Sequence, residues 1–217
     1  MLSDGTVIAN GYANAPGIGK TQPVLFRLTP DGALDSTAWS GNGGVFYDTV
    51  LAEQTEIYNI AIDGDRITTG GYGRETNTST NCCNQWVSLR FKVSDGTRDT
   101  TFGGATNGAV LIDPSAMNVG NNCRNAIGLP GGKTALLGSA GPGGTRDAAL
   151  AIITQSGHLD TTYGDGVHTF SLGGTEDQWW GAAVNDGKLM VVGWRGVGST
   201  QTDTANDDAH GIVLALE

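Results

Sequence analysis

A short unit recurs four times along the chain and restricts its fold more than any other feature. The unit consists of a glycine-containing turn, an apolar strand and a glycine that is usually followed by an aromatic residue. The four copies end on Gly11-Tyr12, Gly71-Tyr72, Gly138-Ser139 and Gly193-Trp194, so the glycines are 60, 67 and 55 residues apart. A period of this size in an all-β sequence is typical of propeller blades.

Each unit divides into four candidate strands separated by turns. Unit one lacks its first strand and unit four lacks its fourth, which leaves fourteen candidate strands. We therefore predict an all-β protein, a β-propeller or propeller arc of four-stranded antiparallel blades with about three and a half repeats. All of residues 1–217 form one repeat domain, and the approximate units are 1–56, 57–123, 124–178 and 179–217.

Glycine and aspartate at fixed positions explain how the unit folds. Asp-Gly and Ser-Gly pairs supply the positive φ that tight hairpins need. Gly11 and its equivalents interrupt the second strand, where a missing side chain allows a bulge or close packing. Three aspartates follow the second turn and are expected to accept hydrogen bonds from backbone N–H groups. They are Asp35, Asp99 and Asp160.

The charge balance excludes two classes of partner. The chain carries 12 Lys and Arg against 22 Asp and Glu, a net charge of −10. Nucleic-acid backbones and anionic membrane surfaces both require clustered basic residues, so we expect neither partner. We also expect no membrane insertion, because the sequence has no apolar run long enough to span a bilayer.

The turn motifs point to a known repeat family. They read Pro30-Asp31-Gly32-Ala33-Leu34-Asp35-Ser36 in unit one and Ser156-Gly157-His158-Leu159-Asp160-Thr161-Thr162-Tyr163-Gly164 in unit three. With the Gly-Tyr strands, they resemble the bacterial delta-60 repeat family over almost the whole chain. Unit one departs from the pattern at Ala38-Trp39-Ser40-Gly41. The resemblance implies a β-propeller that is extracellular or on the bacterial cell surface. It implies no defined activity, so no catalytic residue is carried over.

The long connections all lie at one end of the predicted blades, and we expect any ligand site there. The three cysteines fall in these connections, which favours a disulfide between Cys123 and either Cys82 or Cys83. A vicinal Cys82–Cys83 bond, free thiols and a metal site are the alternatives. A disulfide would favour an exported protein.

Two side-chain clusters are candidate ligand sites. Exposed tryptophan can stack on sugar rings, and Trp179, Trp180 and Trp194 lie within unit four, although packing between sheets is the competing role. One acidic loop carries enough oxygen atoms to bind calcium, a cation that takes 6–8 oxygen ligands. A solvated loop without metal is the alternative, and we expect no other cofactor. The acidic loop contains Asp203, Asn206, Asp207 and Asp208.

These observations favour a non-enzymatic extracellular binding or scaffold module with a protein or glycan ligand. The alternatives are a glycan-active hydrolase or lyase and a structural segment of a fibre or adhesin. The enzyme would use carboxylates near the long loops, with Glu53, Glu56, Glu75 and Glu176 as candidates. The incomplete first and last units also predict self-association or contact with the rest of a longer chain, since bare apolar sheet faces are unfavourable.

Overall fold

The protein is described by a computed structural model that covers residues 1–39, 45–47, 49–76, 84–104, 108–117, 119–196 and 210–216, with the backbone alone for 45–47 and 210–216. This part of the chain contains fourteen β-strands. They are β1 (Val7–Asn14), β2 (Thr21–Leu28), β3 (Val45–Tyr47), β4 (Gln54–Asp63), β5 (Arg66–Arg74), β6 (Gln85–Lys92), β7 (Ala109–Ile112), β8 (Asn122–Leu129), β9 (Lys133–Ala140), β10 (Asp147–Ile153), β11 (Val167–Phe170), β12 (Glu176–Asn185), β13 (Lys188–Gly196) and β14 (His210–Leu216).

The strands form four successive antiparallel units in the order that the repeat predicts. Strands β1–β3, β4–β7, β8–β11 and β12–β14 pair in sequence order within each unit. One parallel pair, Thr21 with Gln54, joins the first two units into a seven-stranded sheet. In the described residues the helical structure is one 3₁₀ turn, Pro130–Gly132. The prediction of an all-β propeller arc is confirmed.

The first strands of units two, three and four begin earlier than the sequence predicts. The apolar alternation places the starts at Tyr58, Ala126 and Gly181, whereas β4, β8 and β12 begin at Gln54, Asn122 and Glu176. The expected unit limits therefore lie inside these strands. The difference arises because the first residues of each strand are polar and nevertheless buried, so they carry no hydrophobic alternation. They include Thr55, Glu56, Asn122, Asp177 and Gln178.

Each of these first strands carries a β-bulge opposite a repeat glycine. The pairing register shifts immediately after the glycine's partner, where Ile57 faces Gly71, Cys123 faces Gly138 and Trp179 faces Gly193. A Cβ on any of these glycines would overlap the carbonyl oxygen of the residue before that partner. The predicted role of the glycine, to permit a bulge, is thus confirmed in three units. Gly11 faces no first strand, and a Cβ there would lie 3.8 Å from Val24 Cγ1.

Three apolar clusters lie between successive units and hold the arc together. The first joins units one and two through Ile8, Leu25, Ile57 and Leu89. The second and third join units two to three and three to four, around the buried indoles of Trp86 and Trp179 respectively. The Trp86 Nε1–H donates to the Ser139 carbonyl oxygen at 3.2 Å and so links two units directly.

The three repeat aspartates organise the second turn of each unit. Each carboxylate accepts a hydrogen bond from the backbone N–H two residues later, over 3.2, 3.0 and 3.1 Å, and another from the threonine hydroxyl at that position. The predicted hydrogen bonds of these carboxylates are therefore confirmed. The pairs are Asp35–Thr37, Asp99–Thr101 and Asp160–Thr162.

We expect Asp160 to make the fold sensitive to acid. The ammonium group of Lys133, 2.5 Å away, and the Thr162 hydroxyl lower the pKa of this carboxyl from 3.8 to about 2. A carboxyl with a lowered folded-state pKa stabilises the fold above its unfolded pKa and loses that effect as pH falls through its folded pKa. Asp160→Asn should therefore reduce the free energy of unfolding at pH 7, and this reduction should shrink steadily as pH falls toward the folded pKa of about 2. Urea titrations between about pH 5 and pH 2 measure both curves, and parallel curves would contradict the assignment.

Candidate functional site

The three bulges bring three equivalent residues together. The residue at each register shift is Tyr58 in β4, Arg124 in β8 and Trp180 in β12. A bulge residue lies outside the strand pairing and its side chain is turned away from the normal alternation. The Arg124 guanidinium carbon lies 4.6 Å from the centre of the Tyr58 ring and 5.1 Å from that of the Trp180 ring. One side chain from each of three successive sheets therefore meets at one place.

Two further tyrosines complete this group. Tyr12 of β1 and Tyr72 of β5 flank Tyr58, with ring centres 5.3 and 5.5 Å from it. The Tyr58 hydroxyl oxygen lies 3.3 Å from that of Tyr12 and 3.2 Å from that of Tyr72. We use the name central cluster for these side chains together with one carboxylate. Its members are Tyr12, Glu56, Tyr58, Tyr72, Arg124 and Trp180.

Burial raises the pKa of two tyrosines in the cluster, and Glu56 adds to this effect at Tyr58. The buried Glu56 carboxylate accepts a hydrogen bond from the Tyr58 hydroxyl at 2.6 Å and another from Gln54 Nε2. Burial and this hydrogen bond raise the pKa of Tyr58, and burial raises the pKa of Tyr72. Both phenols are therefore neutral at physiological pH. They can donate and accept hydrogen bonds but do not supply a tyrosinate nucleophile.

Arg124 is held by aromatic faces rather than by a carboxylate. Its guanidinium carbon is also 5.4 Å from the centre of the Tyr72 ring, so three rings surround it. No ion pair joins it to a carboxylate in the described part of the chain, and there its buried Nε–H finds no hydrogen-bond acceptor. Cation–π contacts stabilise such a guanidinium without neutralising it.

The central cluster is open to solvent at two aromatic residues. Tyr12 is 44% exposed and Trp180 is 45% exposed, while Tyr58, Tyr72 and Arg124 are half-buried. The cluster lies toward the end of β4, β8 and β12 where these strands begin and where β1 and β5 finish. This is the end where the sequence predicted the long connections, but those from β2 to β3, β6 to β7 and β10 to β11 at the opposite end are at least as long. Two exposed aromatic groups beside a cation can stack on a flat ligand and donate hydrogen bonds to it.

The tryptophans of unit four lie in three different environments. Trp179 is fully buried in the third apolar cluster, with its ring 6.0 Å from Phe170. Trp194 is half-buried on β13, opposite Gln178. Trp180 alone of the three belongs to the central cluster. A ligand-binding role of these residues stays a prediction, and Trp180 is the member with an exposed face.

The four candidate carboxylates of an enzyme all have partners. Glu53 pairs with Lys20 at 2.7 Å, and Glu75 accepts the Ala52 N–H at 3.0 Å. Glu176 pairs with Arg146 at 3.4 Å and also accepts the Gly144 N–H, and Glu56 is held by Tyr58. These contacts connect loops and neighbouring units, which gives each carboxylate a structural role.

Two further predictions concern residues beyond the described ranges. The calcium loop, with Asp203, Asn206, Asp207 and Asp208, lies there, as do Cys82 and Cys83. Within the described ranges, no three His, Cys, Asp or Glu side chains form a group suited to a metal ion. The same ranges contain no helix with the length and apolarity that crossing a membrane requires.

The burial of Cys123 predicts that its thiol reacts slowly in the folded protein. Its thiol is fully buried in the second apolar cluster, and burial raises its pKa to about 12. We expect the native protein to resist iodoacetamide at this residue, because the thiolate is the reactive form. Peptide mass spectrometry without reductant also tests the predicted disulfide, because a bond from Cys123 to Cys82 or Cys83 would join two peptides. Rapid alkylation of Cys123 in the folded protein would contradict its burial.

Sequence reasoning named Glu56 and Trp180 as separate candidates, but it missed Tyr58 and Arg124 and did not place the six residues together. Tyr12 and Tyr72 belong to the recognised Gly-Tyr motif, but no local pattern marks Tyr58 or Arg124 as site residues. A positional signal does exist, because each bulge residue precedes its repeat glycine by thirteen or fourteen residues. Counting back from the glycine aligns Tyr58, Arg124 and Trp180 at equivalent positions of their units.

Comparison with known proteins agrees with this architecture. The family described as "Domain of unknown function (DUF5122) beta-propeller" matches residues 2–37. These residues run from the first turn to the aspartate turn of unit one. No curated protein matches the chain. The family match and the four antiparallel units together support a β-propeller-like repeat domain.

Proposed function

We propose that this domain is a non-enzymatic binding module that holds a glycan at the central cluster. The observation that carries the proposal is that two exposed aromatic residues belong to one cluster with an arginine, since Trp180 contacts Arg124 and Tyr12 contacts Tyr58, which also contacts Arg124. Sugar rings present an apolar face that packs on an indole and hydroxyl groups that accept hydrogen bonds. The cluster offers both kinds of contact on a rigid set of strands.

Binding is favoured over hydrolysis by the state of the acidic groups. A glycosidase requires two carboxyl groups that flank the scissile bond. Glu56 is buried beneath a tyrosine hydroxyl, and Glu53 and Glu176 are engaged in ion pairs. Such carboxylates stabilise the fold and are not poised for proton transfer to a ligand.

Binding can be measured by tryptophan fluorescence with a panel of neutral and acidic oligosaccharides. We expect saturable binding of at least one oligosaccharide by the wild-type protein and at least tenfold weaker binding by Trp180→Ala. A matched control is Leu34→Ala, which truncates another exposed apolar residue in the second turn of unit one. Equal affinity of the Trp180→Ala and wild-type proteins for every sugar would overturn the proposal.

We also propose that the protein is extracellular or on the cell surface of a bacterium. The resemblance to the delta-60 repeat family and the predicted disulfide both favour a module exported by bacteria. Cell fractionation with a reporter fused to the full gene product would test this. Recovery of the protein in the cytoplasm with reduced cysteines would count against it.

We also propose that the open ends of the arc are covered by another copy of the chain. In the described residues β1 pairs with β2 alone and β14 with β13 alone, and Val192 remains 45% exposed. Leaving large apolar side chains in water forgoes about 1.5–3 kcal/mol for each. Light scattering of the purified 217-residue protein should therefore report self-association. A stable monomer over a wide concentration range would contradict this.

A further inference from the structure

In the described part of the chain, Arg124 shares a buried Nε–H without an acceptor with Arg74 and Arg195, but it is the member of the three that aromatic rings surround. Arg27 pairs with Asp35 at 2.9 Å and Arg146 pairs with Glu176 at 3.4 Å. Arg124 has three aromatic rings around it and an unsatisfied Nε–H within the described part of the chain. The Nε–H is shielded from solvent, whereas the Nη groups of Arg124 are not among the buried unpartnered atoms, so a ligand acceptor would approach the guanidinium through them.

Glu56, the carboxylate of the central cluster, does not pair with Arg124. The Glu56 carboxylate already accepts hydrogen bonds from Tyr58 and Gln54, and it lies more than 4.0 Å from the Arg124 guanidinium nitrogens. The protein as a whole carries a net charge of −10. Arg124 is therefore a cation without an ion-pair partner in the described part of the chain, at the meeting point of three sheets in a protein that is acidic overall.

We propose that the ligand of the central cluster is an acidic saccharide whose carboxylate binds Arg124 while its ring stacks on Trp180. This inference rests on the proposed function and adds the chemical class of the sugar. A guanidinium fork matches the two oxygens of a carboxylate, and aromatic faces restrict its orientation in advance. Sugars that carry a uronic acid combine the two required features in a single residue.

The inference predicts a charge preference that depends on one residue. The probes are oligosaccharide hexamers of galacturonic acid and the same hexamers with every carboxyl group methyl-esterified. The wild-type protein should bind the acid at least tenfold more tightly than the ester, and this preference should fall as salt rises. Arg124→Gln should bind both hexamers equally. Trp180→Ala should weaken binding of both.

A second charge variant separates the local effect from the total charge. Lys92 is exposed at the end of β6 remote from Tyr72, and Lys92→Gln removes the same unit of charge. It should retain the full preference for the acid. Arg124→Lys keeps the charge without the planar fork and should retain a reduced preference. Circular dichroism of each variant establishes that it folds, and the salt series on the wild-type protein needs no variant at all.

The outcomes distinguish the inference from the function on which it rests. Equal binding of acid and ester by the wild-type protein, with both lost in Trp180→Ala, would overturn the acidic ligand and leave a glycan module in place. An acid preference unchanged in Arg124→Gln would also overturn the inference. Failure of the wild-type protein to bind either hexamer would overturn the acidic ligand, while binding of another panel sugar through Trp180 would still support the glycan module.

Discussion

Replacing Gly71 by alanine is expected to lower the free energy of unfolding by about 3 kcal/mol or more, the upper range for an overpacked interior site. A Cβ at this position would overlap the carbonyl oxygen of Glu56 in the facing strand. That oxygen belongs to the backbone, so the clash is relieved only if the bulge at Tyr58 is rearranged. Guanidinium unfolding followed by tryptophan fluorescence measures the loss.

Gly11→Ala is a matched control for this substitution. Gly11 occupies the same place in the repeat, but its unit has no first strand, and the nearest atom to a new Cβ is 3.8 Å away. We expect a change within about 1 kcal/mol, because alanine also reduces the freedom of the unfolded chain. Similar losses for the two variants would show that the glycine is required for some reason other than the bulge.

Trp179→Ala should cost about 3–5 kcal/mol, the range for removing a large buried aromatic side chain. The Trp179 indole is fully buried between units three and four and packs against Phe170. Its loss would leave a cavity in the apolar cluster that attaches the last unit to the arc. Chemical denaturation is again the measurement.

The adjacent residue provides the comparison. Trp180→Ala removes an equally large indole that is 45% exposed and outside the apolar clusters, so we expect a loss of about 1 kcal/mol or less. Trp179 should thus contribute mainly to stability, and Trp180 mainly to ligand binding. A larger loss of stability for Trp180→Ala than for Trp179→Ala would reverse the roles assigned to the two residues.

The architecture was predictable because the repeat glycines and aspartate turns act locally. Gly71 and Gly138 mark where a facing strand must bulge, and Asp99 closes its turn with a threonine two residues away. Such requirements involve short segments, so they leave a signal at fixed spacing in the sequence. Fourteen strands were predicted, and fourteen are present in the described part of the chain.

The central cluster was not predictable in the same way because its members come from four units. Tyr12 and Tyr58 are 46 residues apart, and Tyr58 meets Arg124 only across the packing of two sheets. Buried polar residues such as Glu56 and Gln178 also hide the beginnings of the strands that carry the cluster. Neither apolar periodicity nor local motifs report which side chains a pair of sheets will bring together.

The bulges separate the chemistry of the cluster from the requirements of the fold. Strand pairing in units two to four depends on the glycine and on the backbone oxygen opposite it, whereas the bulge residue is excluded from the ladder. Tyrosine, arginine and tryptophan occupy this position in three consecutive units of the same architecture. The position therefore accepts different side chains without a change in strand pairing, and under the proposed function a single substitution there would alter the ligand that is bound.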